Sequence, residues 1–455
     1  MSTPIPSNQA RFTLDEVCEL VGGELGANTD GSIECVGVGT DSRALPKGGL
    51  FVALRGERFD GHAFLETLDG VAGAIVASDA EVPAGLPHVA VEDTLAALGC
   101  LGQAHRLRWG GRVVGITGSA GKTTTKELTA AAIEAGGASV AATQGNLNNL
   151  IGVPMTLLTL TDEDVAVIEM GTNAPGEIES LAAIALPEIA VVTLVDAAHT
   201  EGLGTVDDVL VEKAAIFGVL EEEDIAIVNG DDARLRALHI EARRLEYGTG
   251  PEAAVRLVDF SVDEDGTTVT YAAGETELAT QLKLLGRGAA LAGAAALTVC
   301  QALELDLAKA VTGLGTVAPV DGRARLRHRA DGVLLLDDVY NANPASMRLA
   351  LETAAALAKK RGGTLHAVLG DMKELGDIEK RMHVAAIAHA HAHGAKLALV
   401  GPAMADAADG DPCFADASEV TLEPGPTDVV LVKGSRSMRL ERVVDALLAA
   451  GGGER

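Results

Sequence analysis

Residues 112 to 126 read Arg-Val-Val-Gly-Ile-Thr-Gly-Ser-Ala-Gly-Lys-Thr-Thr-Thr-Lys, an apolar strand passing through a glycine turn into a helix that opens with Lys122 and Thr123. In such a turn the backbone N–H groups of Gly118, Ser119, Ala120 and Gly121 converge on one anion, and the helix N-terminus adds its positive end. Lys122 supplies a cation, Thr123 a hydroxyl for magnesium, and Thr124 completes the helix start. The chemistry is that of a triphosphate cradle. The spacing Gly118-x-x-Gly121-Lys122-Thr123 is shorter than GxxxxGK(S/T), since Ile116 stands where the longer form has its first glycine, and this excludes the ordinary GTPase pattern.

Other polar groups sit where apolar runs stop. Glu169 ends the run 165–170 and is a candidate magnesium ligand, although a carboxylate at a strand end also serves simply to meet solvent. His199 follows the run 189–195 and reads either as a metal or phosphate ligand or as a surface residue. Lys213, in Val-Glu-Lys-Ala-Ala, reads from its surroundings as the polar face of an amphipathic helix. Further on, Asp337-Asp338-Val339-Tyr340-Asn341-Ala342-Asn343-Pro344 is a strand end turning into a helix. Asp338 can orient a ribose or base, while Asn341 and Asn343 can both donate and accept, and helix capping accounts for only one of them. Asp371 in Gly-Asp-Met-Lys-Glu-Leu-Gly, and Lys433, Ser435 and Arg436 after the run 428–433, complete a third-domain rim.

The elements that must carry these groups are strands alternating with helices. From residue 111 the runs 113–117, 165–170, 189–195 and 225–229 suggest a mostly parallel sheet covered on both faces, with ligands beyond its carboxyl ends. Residues 251–281 suggest a small antiparallel excursion, and the Ala-rich 289–298 a packed helix. A new α/β unit begins after Pro319, with strands at 333–338, 365–369 and 428–433 and a proline-opened helix at 344–360. The first ninety or so residues are turn-rich and strand-like, with 32–40 loosely alternating and 50–54 compactly apolar; a helix at 94–108 follows. The expected domains are 1–92, 93–318 and 319–455, and the glycine-rich tail from 451 is expected to lack structure. The fold class is α/β.

Composition narrows the function classes. The chain has 455 residues, 47% hydrophobic and 22% charged, with no apolar run of membrane-spanning length. A formal net charge of −29 argues against nucleic acid as a partner, because phosphate-backbone binding needs clustered Lys and Arg. Five scattered cysteines and an N-terminus without signal-peptide character point to a reducing cytoplasm.

Together the motifs resemble the Mur ligases. The matching segments are 40–43 (Thr-Asp-Ser-Arg), 50–62, 115–127, 145–149 (Gly-Asn-Leu-Asn-Asn), 152–154, 169–171, 337–344, 369–376 and 433–436. The short phosphate loop is shared with folylpolyglutamate synthetases, whereas Tyr340-Asn341-Ala342-Asn343-Pro344 resembles the branch that adds D-alanyl-D-alanine. The resemblance implies a three-domain ATP-dependent ligase that joins D-alanyl-D-alanine to UDP-N-acetylmuramoyl-tripeptide, acts as a monomer and uses two magnesium ions.

It further implies that Thr40, Asp41, Ser42, Arg43, Asp60, Gly61 and His62 belong to a UDP-sugar site. Asn146, Asn148, Tyr340, Asn341, Asn343, Asp371, Lys433, Ser435 and Arg436 would contact substrate, Asn229, Arg323 and Asp338 would contact ATP, and Thr123, Glu169 and His199 would serve the metals. Lys213 matches a lysine that is carbamylated in relatives. The chain departs from the family pattern at 286–293, where Gly-Arg-Gly-Ala-Ala-Leu-Ala-Gly replaces the usual His and Asn, and at Leu194 and Ala215. The alternatives are another amino acid ligase of this superfamily and a nucleotide-binding relative that has lost catalysis.

Overall fold

The computed structural model describes residues 3–56 and 59–454; Glu57 and Arg58, within the segment 50–62, lie outside the described residues. Three sheets organise the chain. In the first, strands Glu24–Leu25, His88–Val91, Gly73–Ala77, Leu50–Val52 and Val38–Gly39 lie side by side, with Leu50–Val52 and Gly73–Ala77 buried along their whole length. The segment 32–40 divides into two short strands, Glu34–Val36 and Val38–Gly39, in different sheets. Helix Thr94–Trp109 places Leu98 and Leu101 in a core that joins Leu14 of helix Leu14–Val21 and Ile75 of this sheet to Met155 and Leu158 of the next unit.

The central sheet has nine strands, in the order Val140–Ala142, Val165–Glu169, Arg112–Thr117, Ile189–Val192, Ile225–Asn229, Arg243–Gly248, Val255–Asp263, Gly266–Ala273 and Thr276–Leu282. Its apolar strands are covered on both faces, as a parallel sheet requires. Side-chain alternation sends Val114, Ile116, Val167 and Val191 to one core and Val113, Ile168, Ala190 and Val192 to the other. Helices Lys122–Gly136, Gly286–Ala302 and Leu307–Leu314 cover the first face.

One expectation is corrected here. The third parallel strand stops at Val192 rather than 195, because Thr193 is drawn off to brace the glycine turn. The expected antiparallel excursion is present, and it extends the central sheet: its first strand pairs in parallel with Arg243–Gly248 and antiparallel with the next, which pairs antiparallel with the last.

The third sheet runs Arg325–His328, Leu334–Asp338, Val429–Lys433, Leu365–Gly370, Lys396–Val400 and Cys413–Phe414, parallel except at the first pairing. Helix Pro344–Arg361 begins where proline sits in its first turn and Asn343 caps it, in a box with Ser346. The tail is not free. Glu454 accepts two hydrogen bonds from the Arg327 guanidinium and pairs its backbone with Arg329, which fixes it to the edge strand.

Candidate functional site

The glycine turn follows strand Arg112–Thr117 directly. Gly118 has φ of 145°, and a Cβ there would lie 2.0 Å from Thr193 Oγ1, so only glycine lets the turn pass this close to its neighbour. The turn is held by Ser119 N–H donating to Leu194 O at 2.9 Å and by Thr193 Oγ1 donating to Ala120 O at 2.6 Å. Helix Lys122–Gly136 has no side-chain cap, which leaves its first N–H groups for a ligand. Lys122 Nζ donates to Gly118 O at 2.7 Å; burial lowers the pKa of its ammonium, Glu169 opposing and Arg323 adding to the effect.

Around this turn opens a polar cleft of about 310 Å³, lined by Ser119 to Thr124, Asn146, Asn148, Glu169 and His199 from the central unit and by Arg323, Asp338, Tyr340, Asn341, Asn343 and Lys433 from the third. Glu169 is buried; its Oε1 accepts from Asn148 Nδ2 at 2.8 Å, and its Oε2 has no partner. A buried, unpartnered carboxylate oxygen beside a threonine hydroxyl and a phosphate cradle fits magnesium, a hard cation bound through one or two carboxylates together with phosphate oxygens. Among the described residues no three His, Cys, Asp or Glu side chains gather at metal-binding spacing; Thr123, Glu169 and His199, the residues expected to serve the metals, all line this cleft. His199 lines the same cleft, with Nδ1 2.6 Å from Glu374 Oε2 but out of hydrogen-bond alignment.

Lys213 overturns its reading as a solvated helix face. In helix Val206–Ala214 it is 0% exposed, and its Nζ has no hydrogen-bond partner. Burial drives its pKa well below the usual lysine value, the Lys122 charge lowers it further, and Glu212 and Glu177 oppose the shift. Both carboxylates are already engaged: Glu212 accepts from Thr172 Oγ1 and the Gly176 and Ile178 N–H groups, and Glu177 from the Asn173 and Ala174 N–H groups. The result is a buried amine, disposed to be neutral, within electrostatic reach of the phosphate-loop lysine.

The third unit closes over the loop through its strand ends. Lys433 is buried and donates to Asp338 Oδ2 at 2.6 Å and to Asn341 O at 2.9 Å, which ties the turn 338–343 to strand Val429–Lys433. Asn343 caps its helix through Oδ1 while Nδ2 donates to Ser119 O at 3.0 Å, so one side chain joins the two units at the glycine turn. The Arg323 guanidinium stacks 3.9 Å from the Tyr340 ring centroid. Thr200 Oγ1 donates to Leu375 O, and Glu201 N–H to Glu374 O. A second polar cleft of about 740 Å³ continues past Asn146, Tyr340, Lys373, Glu374, Ser435 and Arg436. On the other side of Gly121 lies an apolar slot that includes Asn229.

Several expected residues lie elsewhere. None of Thr40 to Arg43 or Asp60 to His62 lines these clefts. Asp41 is occupied by Arg43, whose hydrogen bonds hold its pKa at about 2, and His62 points inward, with Nδ1 on Asp60 and Nε2 accepting from the Ala77 N–H. Asp371 is 0% exposed and accepts from Met404 N–H and Lys373 Nζ, a buried brace beneath the rim and not a rim residue. Conversely, Glu374 faces His199 across the units, and Thr143 donates no side-chain group to the cleft but accepts the Glu169 N–H. Glu374 stood in a motif already noticed; its φ of 64°, rare for a non-glycine, aims the turn in a way its residue type does not announce.

Family models match three successive stretches: the Mur ligase catalytic domain over 34–106, the Mur ligase middle domain over 116–300, and the Mur ligase glutamate ligase domain over 322–436. The chain belongs to the Mur ligase family. It is 39% identical to the UDP-N-acetylmuramoyl-tripeptide--D-alanyl-D-alanine ligase of Escherichia coli (strain K12), over 96% of this chain and 99% of that protein. The ligase of the same name from Bacillus subtilis (strain 168) is 35% identical over 82% of this chain and 81% of its own. Among solved structures, MurF from Acinetobacter baumannii superposes with a TM-score of 0.89 at 28% identity, covering 97% of this chain and all of that one. MurF ligase from Thermotoga maritima in complex with ADP gives 0.81 at 30% identity, over 90% of this chain and 97% of that one. The three-domain Mur ligase architecture is thus the architecture of this chain.

Proposed function

We infer that this Mur ligase joins D-alanyl-D-alanine to UDP-N-acetylmuramoyl-tripeptide at the expense of ATP, the last cytoplasmic step in making the peptidoglycan pentapeptide precursor. The observation that carries this reading is the convergence, in one cleft, of an uncapped phosphate loop, the buried unpartnered oxygen of Glu169 and the turn Tyr340 to Asn343. Residues 1–92 would hold the UDP-sugar end, 93–318 the ATP, and 319–455 the amine. No helix of the described residues is long and apolar enough to cross a membrane, which agrees with a cytoplasmic site of action.

The reaction has two steps. A peptide carboxylate oxygen attacks the γ-phosphorus of ATP, the bond to ADP breaks, and an acyl phosphate results; the amine nitrogen then attacks the acyl carbon, loses a proton, and phosphate departs. The first step brings two anions together, so positioned positive charge is its main requirement. Lys122 and the helix N–H groups hold the phosphates, and Arg323 adds charge from the third unit. Thr123 and Glu169 would hold magnesium, which supplies Lewis-acid screening of the phosphate charge when bound. Asn343, joined to Ser119 O, sets the two units at a fixed approach that supplies proximity.

Lys213 fits this site as a carbamate. A neutral amine is the form that adds carbon dioxide, and burial favours that form; carbamylation releases a proton and leaves an anion that attracts Lys122. The test is ADP release by the purified chain. Release that requires UDP-N-acetylmuramoyl-tripeptide and D-alanyl-D-alanine together is expected. Release with either alone, or with another amino acid in place of the dipeptide, would refute the assignment.

A further inference from the structure

The loop 145–149 carries three asparagines, and two of them have partners close by. Asn148 Nδ2 donates to Glu169 Oε1, and Asn149 Oδ1 accepts from the Ile151 and Gly152 N–H groups. Asn146 is held instead by Thr3, 143 positions away in the chain. Thr3 Oγ1 donates to Asn146 Oδ1 at 2.8 Å and accepts the Asn146 N–H at 3.3 Å, while the Thr3 N–H reaches the same Oδ1 at 3.4 Å. Gly145 makes this approach possible. A Cβ there would lie 2.0 Å from Thr3 Oγ1, and the φ of 54° also favours glycine.

These bonds fix which way the Asn146 amide faces. The Thr3 N–H can only donate, and Thr3 Oγ1, which accepts the Asn146 N–H, has its one hydrogen for Oδ1. Reversed, the amide would set its amino group against the Thr3 N–H, donor against donor. The oxygen is therefore turned to Thr3, and Nδ2 makes no hydrogen bond among the described residues. Asn146 lines both the phosphate cleft and the larger cleft that continues from it, whereas Thr3 lines only the larger one. With its oxygen toward Thr3, Asn146 has its amino group on the side of the phosphate cleft.

The segment that carries Thr3 is fastened at its other end as well. Asn8 is buried, donates through Nδ2 to Val38 O at 2.8 Å and accepts the Val38 N–H at 3.0 Å, which ties it to the first sheet. Pro4 and Pro6 stiffen the span between. From this we propose that Thr3 is a positioning residue for ligation: it holds Asn146 so that the amide donates to the peptide carboxylate of UDP-N-acetylmuramoyl-tripeptide beside the phosphate loop. A strap that blocked the substrate would have to occupy the donors, whereas Thr3 takes the oxygen, which an anion cannot use. The proposal rests on the ligase reading above.

Thr3→Val keeps the shape of the side chain and removes its hydroxyl. Ordering one freely turning side chain on binding lowers affinity about threefold to tenfold, so this variant is expected to raise KM for UDP-N-acetylmuramoyl-tripeptide by about that factor, with kcat and KM for ATP retained. Thr3→Ser, which keeps the hydroxyl, should restore the parental KM. An unchanged or lowered KM in Thr3→Val would overturn the proposal. The coupling is read by calorimetry, as the Kd of UDP-N-acetylmuramoyl-tripeptide with a non-hydrolysable ATP analogue bound: Thr3→Val should weaken binding in the parent and have no further effect in an Asn146→Ala background. An equal effect in both backgrounds would show that Thr3 acts apart from Asn146 and would overturn the proposal. A parent enzyme that releases no ADP with all three substrates would instead remove the ligase reading.

Discussion

Replacing Lys213 by methionine separates a structural from a functional role with opposite signs. The two side chains are similar in length, so the packing around a wholly buried residue is largely kept, while the amine that has no hydrogen-bond partner is removed. An unsatisfied buried polar group costs about 1–3 kcal/mol, so in carbon dioxide-depleted buffer Lys213→Met should be more stable by about that amount, read as a higher urea midpoint. The pH dependence has a definite sign. The folded pKa is depressed below the unfolded value near 10.5, so between those two values the unfolded chain binds the extra proton and the stability of the unmodified parent rises with pH. The advantage of the methionine variant should therefore shrink from pH 7 toward pH 9.5, a slope that the variant itself lacks.

Activity should move the other way. Loss of one preorganised charge at a phosphoryl-transfer site costs about 10²- to 10³-fold in kcat, and Lys213→Met should fall in that range while KM for ATP changes little. Lys213→Ala leaves room that methionine fills, so short carboxylic acids should restore part of the activity of the alanine variant and none of the methionine variant. A methionine variant that is fully active, or that is less stable than the parent at pH 7, would refute this reasoning.

Three further outcomes follow from the geometry. Lys122→Ala should abolish ADP release through kcat, since its ammonium lies at the phosphate turn; unchanged turnover in a folded variant would remove the phosphate assignment. Glu169→Gln should lose activity with partial recovery at raised magnesium concentration, and a variant with parental magnesium dependence would show that the buried Oε2 holds no metal. Asn343→Asp keeps the capping oxygen of helix Pro344–Arg361 but has no N–H for Ser119 O, so it should stay within about 0.5 kcal/mol of parental stability while kcat/KM for ATP falls; Asn343→Ala should lose about 1 kcal/mol as well. Equal kinetics for the aspartate variant and the parent would remove the joining role.

How far the sequence could be read depended on whether chemistry and local structure spoke through the same residues. The phosphate loop was legible because glycine positions, strand and helix all demand one conformation, and Gly118 packed against Thr193 bears that out. The turn 338–343 was legible as a polar strand end, but its pairing with Lys433, across 95 residues, is a property of the parallel sheet that no local pattern carries. The helix Val206–Ala214 shows the limit most sharply. Polarity would put Val211 inward and Lys213 outward, yet Val211 is 72% exposed and Lys213 fully buried. A chain folding by hydrophobic burial alone would have rotated that helix. It is held in the costly orientation by Glu212, whose carboxylate accepts the N–H groups of Gly176 and Ile178 at the start of the neighbouring helix Glu177–Ala185, and by Val209 in the core beneath. An inversion maintained against local preference marks a position where the buried group itself is required. The exposed valine and the buried lysine, two residues apart, are therefore one observation, and it supports the role proposed for Lys213 in the reaction.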